Sequence, residues 1–288
     1  MSELIILKSI SKEGTPLEAI FDPSRGMNLI SYKKGSMQVI DQSTKQDFES
    51  TGCGLGPLIG PHFGARHVVP AIQEPTFMNH IEAMQRTGYK DPFYDGVGRY
   101  APWKTTVTEN KVLAQLVSKE MWNNVSLTNL EGGVFNMKLE ASLREKGLKI
   151  SLSVVSDPDS LVGIDYRFVL PNGKGSVSSA VKKTVLQEGK EIDMPSYVEH
   201  DSAHSMKLDL KHACDFVFHP YDALKGKIVL NTDAYTLETH YSCLNQENSW
   251  QLKKRKEASY VSINPISAKN PWSPNLTVSS IEIELIII

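Results

Sequence analysis

Apolar and polar residues alternate along most of this chain with a period of two, the spacing that puts successive side chains on opposite faces of a strand. Residues 112–117, 135–143, 148–155, 206–210, 227–231 and 260–263 alternate or run apolar over strand length. Turn signals such as Glu131-Gly132-Gly133, Glu145-Lys146-Gly147 and Pro171-Asn172-Gly173 separate them. The ending, 281–288, alternates and then becomes fully apolar, which predicts a last strand buried in a sheet. Helical periodicity is nearly absent. Only residues 79–86 predict a turn or two of helix, within an irregular region from about Gly52 to Asp95. Irregular stretches of that length are often binding loops. The pattern predicts an all-β chain folded as a large antiparallel β-sandwich, with no linker and no internal repeat.

Composition agrees with that picture and removes some function classes. The chain has 288 residues, 40% of them hydrophobic and 22% charged, enough apolar material for a sizeable core. All-β folds of this size often stay single, so residues 1–288 are expected to form one domain. A formal net charge of −2 gives no basic field for nucleic acid or an anionic membrane. The densest basic run, Lys253-Lys254-Arg255-Lys256, is followed by Glu257 and predicts a solvated hairpin turn. Cys53, Cys214 and Cys243 are an odd number without metal-like spacing, which points to reduced thiols and a cytoplasmic location. The apolar run at 4–7 is too short for a signal peptide, and no segment is long enough to span a membrane. No cofactor is expected.

Candidate chemistry lies in a series of short motifs. Residues 17–32 form a hairpin pattern with Gly26 at the turn. Gly60-Pro61-His62-Phe63-Gly64-Ala65-Arg66 is a loop ending in an arginine, and Asp95-Gly96-Val97-Gly98-Arg99 leads to Trp103. Gly163-Ile164-Asp165-Tyr166-Arg167-Phe168 sits where a strand belongs, Asp215 lies within the strand pattern 213–218, and Asn264-Pro265 closes the strand 261–264. In this order the motifs resemble the aldose 1-epimerase (galactose mutarotase-like) family, and the one from Asp95 to Trp103 is similar to that of its hexose-6-phosphate mutarotase branch. The resemblance covers almost the whole chain and implies a β-sandwich with a cleft for a hexose or sugar phosphate. It places Arg66, Asp95, Arg99 and Asp215 at the sugar. It also places Asp165 where the family has its catalytic histidine and Asn264 where it has its catalytic glutamate.

Those two substitutions bear directly on the chemistry. Mutarotation needs a base on the anomeric hydroxyl and an acid on the ring oxygen, both titrating near neutral pH. Histidine suits the acid role, whereas an aspartic acid needs a pKa raised well above its reference of about 3.9. An asparagine amide cannot be a general base at all. The alternative is a rearranged site with Asp165 as the base and an acid drawn from His62, His67, His200 or His204. The spacing of His200 and His204 would also suit a metal pair on a helix, but the flanking pattern favours a surface turn. His219-Pro220-Tyr221 spells the family's catalytic tripeptide, yet follows Asp215 instead of preceding it, and predicts an ordinary loop histidine. Phe63 and Trp103 are candidates for an apolar platform under a sugar ring, with burial in the core as the alternative for Trp103. Three readings follow: a sugar-binding relative of the epimerases, an isomerase with a rearranged acid and base, or a non-catalytic carbohydrate- or partner-binding protein.

Overall fold

A computed structural model of the chain describes residues 3–66, 78–88 and 90–288. Its architecture is antiparallel β throughout. A small sheet is made by Ile5–Ile10, Pro16–Asp22, Asn28–Lys34 and Met37–Gln38, paired in chain order. The predicted hairpin is its centre. Gly26 takes φ 66° at the turn, and a Cβ there would lie 1.9 Å from the Arg99 carbonyl oxygen, so only glycine lets these two stretches of backbone meet.

Two large sheets share one long strand, Ser176–Gln187. Its first half pairs with Ser205–Asp209 and Lys225–Asn231. Its second half pairs with Cys214–Pro220 and Lys190–Asp193. A register shift between Val181 and Val185 marks the crossing between sheets. One sheet continues through Thr236–Ser242, Val278–Ile287, Leu148–Ser156, Phe135–Leu143, Lys111–Val117 and Lys104–Thr108. The other continues from Cys214–Pro220 through Ser249–Lys254 and Tyr260–Ile266 to Tyr166–Val169 and Gly163–Ile164, with Leu58–Ile59 beyond. This second sheet carries the candidate site.

Alternation does in space what it predicted in sequence. Along Leu148–Ser156 the residues Leu148, Ile150, Leu152 and Val154 are buried. The intervening Lys149, Ser151 and Ser153 are only half buried. The closing strand Val278–Ile287 is central to its sheet, between Leu148–Ser156 and Thr236–Ser242. A contiguous core takes Phe21 and Tyr32 from the small sheet, Leu152 and Ile283 from one large sheet, and Phe168 and Trp250 from the other. The Tyr32 hydroxyl donates to the Leu285 carbonyl at 2.9 Å and accepts from the Leu148 amide at 3.2 Å, fastening the small sheet to its neighbour.

Helix is sparse, as the pattern predicted, but not confined to 79–86. Asn79–Arg86 is helical, and so are Lys45–Thr51 and Leu127–Glu131. The latter two bury only one and two side chains respectively, too few to write a 3.6-residue period into the sequence. Lys45–Thr51 stops at Gly52, whose φ of 72° lets its amide reach the Phe48 carbonyl.

Candidate functional site

The antiparallel registers align polar residues in rows across the second sheet. Side chains two apart on a strand share a face, and neighbouring strands lie about 4.8 Å apart. One row runs Arg167, Ser262, Lys253, Asp215, because Ser262 is opposite both Arg167 and Lys253, and Lys253 is opposite Asp215. The next row toward the domain's loops holds Asn264 opposite Gln251. At the hairpin end Tyr260 and Arg255 carry the same polar face onward, and the Arg167 guanidinium lies 5.1 Å over the Tyr260 ring. The reverse face of these strands is core: Tyr166, Phe168, Val261, Ile263, Trp250 and Leu252 are fully buried.

Loops close this face into a narrow cleft. Asp165 lies between the strands Gly163–Ile164 and Tyr166–Val169, its amide donating to the Pro57 carbonyl at 2.9 Å. Asp95 and Arg99 come from the single 3-10 turn Val97–Arg99 and its preceding residues. Gly96 permits that turn: its φ is 93°, and a Cβ there would lie 2.1 Å from the Gly60 carbonyl oxygen. Asp95 itself has φ 64°, a left-handed conformation that aspartate tolerates better than most residues.

Arg99 forms the floor of the cleft and is 1% exposed. One terminal nitrogen of its guanidinium binds both Asp95, at 2.7 Å, and Asp165, at 3.1 Å. Its Nε donates to the Leu58 carbonyl at 3.0 Å, and its other terminal nitrogen faces the Cys53 Sγ at 3.6 Å. Burial would lower the arginine's pKa, but Asp95 and Asp165 outweigh it and hold the charge firmly. The two carboxylates diverge. Burial, reinforced by the charge of Asp165, raises Asp95 above the ordinary range despite Arg99. Burial also acts upward on Asp165, but Arg99, Arg167 and Lys253 together bring it below that range. Asp165 is thus the ionised partner and a poor proton donor at neutral pH. Both Asp95 oxygens are engaged, since the second accepts from the Gly64 amide at 2.7 Å.

Asn264 belongs to an amide relay. Asn264 Nδ2 donates to Gln251 Oε1 at 3.2 Å, and Gln251 Nε2 donates to Asp215 Oδ1 at 2.6 Å. Asn264 is 1% exposed, and its Oδ1 has no hydrogen-bond partner among the described residues. A buried acceptor without a donor is unfavourable by about 1–3 kcal/mol, and of the relay it is Gln251 that lines the cleft.

The structure brings Asp95, Arg99 and Asp165 into contact, and sets Asn264 and Asp215 on the same sheet face through Gln251. It places Arg66 elsewhere. That guanidinium forks onto Asp91, with Nε at 2.8 Å and a terminal nitrogen at 2.7 Å, and its remaining nitrogen donates to the carbonyls of Leu130 and Glu131. His62 completes this cluster, 2.5 Å from Glu131 and 3.5 Å from Asp91. Burial depresses the His62 pKa, but the Glu131 and Asp91 carboxylates overcome it and raise it to about 9. Arg66 and His62 therefore staple the loop to the helix Leu127–Glu131, and neither lines the cleft.

The other candidates separate cleanly. Phe63 lines the cleft and meets Trp272 edge-on at 5.0 Å. Trp103 is core, its indole donating to the Gly98 carbonyl at 2.9 Å. His200 faces the Val181 carbonyl at 3.1 Å and His204 stacks on Tyr221 at 4.0 Å. His219 faces the Lys269 carbonyl at 3.1 Å, and burial lowers its pKa. His67 lies outside the described residues.

Gln251, Lys253, Arg255 and Arg167 escaped the sequence reading. The signal was present as alternation at 251, 253 and 255, but the run of four basic residues suggested a solvated turn. The exposed turn is there, at Arg255, Lys256 and Glu257 between the paired strands, but Lys253 and Arg255 also line the cleft, while Lys254 points the other way and donates to the carbonyls of Arg255 and Ala258, both at 2.9 Å. The cleft is a slot of about 40 Å³. One water needs roughly 10–15 Å³ of such space, so the floor admits a substituent and not a whole sugar ring. A larger depression of about 870 Å³ crosses the other large sheet. Its charges neutralise one another, as in Lys149–Glu282 at 3.0 Å and Lys227–Glu238 at 2.5 Å, which is how a solvated sheet face behaves.

No protein-family model matches the sequence, and no curated protein matches it either. Solved structures do. A putative aldose 1-epimerase from Escherichia coli K12 superposes with a TM-score of 0.64 at 10% identity, over 99% of this chain and 99% of that one. A galactose mutarotase-like protein from Clostridium acetobutylicum gives 0.65 at 16% identity, over 99% of each chain. Another, from Lactobacillus casei, gives 0.68 at 11% identity, over 99% of this chain and 100% of that one.

Proposed function

From a chain with the galactose mutarotase-like fold, we propose a protein that binds a hexose or sugar phosphate at the Arg99 cleft without catalysing mutarotation. The observation that carries this reading is the relay from Asp215 through Gln251 to Asn264. On the alignment that the resemblance implies, an amide stands where an epimerase needs a titratable base, and it reaches the cleft only through Gln251, whose side chain lines it. The acid position supports the same reading, because Asp165 is held ionised by the Arg99 guanidinium. Exposed Asp215 and the polar row beside it offer further partners for sugar hydroxyls. The narrow floor takes an exocyclic substituent while the ring stays at the mouth, near Phe63 and Tyr260. The contiguous core shared by the small four-stranded sheet and the two large ones supports treating residues 1–288 as one domain.

One observation favours a second reading. Asp95 is displaced upward and Asp165 downward, the separation expected of an acid and a base sharing a site. In that reading Asp95 donates, Asp165 accepts, and the protein is an aldose 1-epimerase-type isomerase with a rearranged pair.

Saturation-transfer NMR on glucose, galactose and their 6-phosphates tests the binding claim. Transfer to at least one sugar, lost in Asn264→Leu with unchanged thermal unfolding, supports it. No transfer to any of the four contradicts it and favours a protein partner for the sandwich.

A further inference from the structure

Four basic side chains line the cleft, Arg99, Arg167, Lys253 and Arg255, against two acidic ones, Asp95 and Asp165. Both acids are spent on Arg99 at the floor. The other three bases stand higher, on the sheet and its hairpin. Arg167 and Lys253 flank Ser262 in a single row, two strand spacings apart, or about 10 Å between main chains. Ser262 is the smallest side chain in that row, so a recess lies between an arginine and a lysine with a hydroxyl at its base. Among the described residues no side-chain hydrogen bond engages Ser262, and Arg255 makes no ion pair. Arg167 pairs through one terminal nitrogen with Asp47 at 3.1 Å and lies 5.1 Å over the Tyr260 ring, and it lines the cleft beside Ser262. Lys253 reaches Asp215 at 3.7 Å, a loose pair beside a half-exposed carboxylate.

We propose that the row Arg167–Ser262–Lys253, with Arg255 at its hairpin end, is an oxyanion subsite that receives a phosphate or carboxylate group carried by the ligand. The assignment rests on the sugar-cleft reading above for the rest of the ligand, but the subsite has its own chemistry. A guanidinium fork, an ammonium and a hydroxyl provide charged and neutral donors at fixed spacing, the combination that suits a group with three or two oxygens. Asp215 acts against it. Its charge at the end of the row repels an anion while its oxygens suit neutral hydroxyls, so the residue sets how strongly the cleft prefers a charged ligand.

Isothermal titration of the full chain with glucose 6-phosphate, glucuronate, glucose and inorganic phosphate tests this. The expected result is that at least one of the two charged sugars binds about tenfold or more tightly than glucose, the effect of one well-placed charge-assisted contact. Which of the two wins identifies the group. Lys253→Met and Arg255→Ala, both at half-exposed or exposed positions, are each expected to remove most of that preference, and Asp215→Asn to increase it. Binding of inorganic phosphate that weakens in Lys253→Met, with no sugar bound, upholds the subsite and defeats the sugar reading. Equal binding of glucose and both charged sugars defeats the subsite and leaves the sugar reading intact. A preference that survives both basic-residue variants also overturns the subsite, and no binding of any probe overturns both.

Discussion

Two arginines that look alike in the sequence, Arg66 and Arg99, end in opposite roles. Each follows a glycine-rich loop, and each becomes largely buried against carboxylates. Arg66 shares its cluster with a second cation, His62, so two positive groups face Asp91 and Glu131. Arg99 faces Asp95 and Asp165 alone, with both carboxylates on one nitrogen. The first cluster is balanced and closed, the arrangement of a staple. The second is one positive charge short within its own shell and borrows field from Arg167 and Lys253. Charge balance therefore separates a structural arginine from one that belongs to a site, where proximity to a conspicuous motif does not.

The largest expected effect comes from breaking the unbalanced cluster. Arg99→Met leaves two buried carboxylates uncompensated, so urea unfolding should show a loss of about 3–5 kcal/mol. Adding Asp95→Asn and Asp165→Asn to that variant should recover a large part of it. Arg66→Met should be milder, about 2–3 kcal/mol, since His62 remains to face Asp91. If the Arg66 variant proves the more damaging, the comparison is reversed.

The pH dependence sharpens the contrast further. Because the folded-state pKa of His62 is raised from 6.5 to about 9, its contribution is complete below the lower value and fades as pH rises through the higher. We expect an alkaline limb of about 3 kcal/mol across that window, flattened in His62→Gln, in denaturant midpoints measured as a function of pH. On the floor, the opposite displacements of Asp95 and Asp165 pull against each other as pH falls, so Asp165→Asn and Asp95→Asn should tilt the acid limb in opposite senses. The smallest effect is expected of Cys53→Ser. Its Sγ is a weak partner of Arg99, and the loss should stay below about 1 kcal/mol.

Much of this fold was legible because alternation is a direct image of burial. Strands such as Phe135–Leu143 and the closing Val278–Ile287 show one apolar face, and their sequences show it too. The short helices were not legible, since Phe48 alone cannot mark a helical period. In the candidate site, the motifs named Asp165 and Arg99 but did not foretell that the two side chains touch. The fate of Arg66 did not, because its partners Asp91 and Glu131 lie in segments without any pattern of their own. Lys253 and Arg255 were hidden for another reason. Their strand alternates, but Lys254 between them is also basic, and only the folded hairpin shows that it turns inward to cap carbonyls.

The central claim is a sugar cleft without proton-transfer chemistry, and exchange NMR between α and β anomers tests it most directly. With free and 6-phosphorylated aldoses, at protein concentrations where binding broadens their lines, we predict exchange rates equal to those without protein. Accelerated exchange that disappears in Asp165→Ala would contradict the claim and establish an isomerase with a rearranged acid and base.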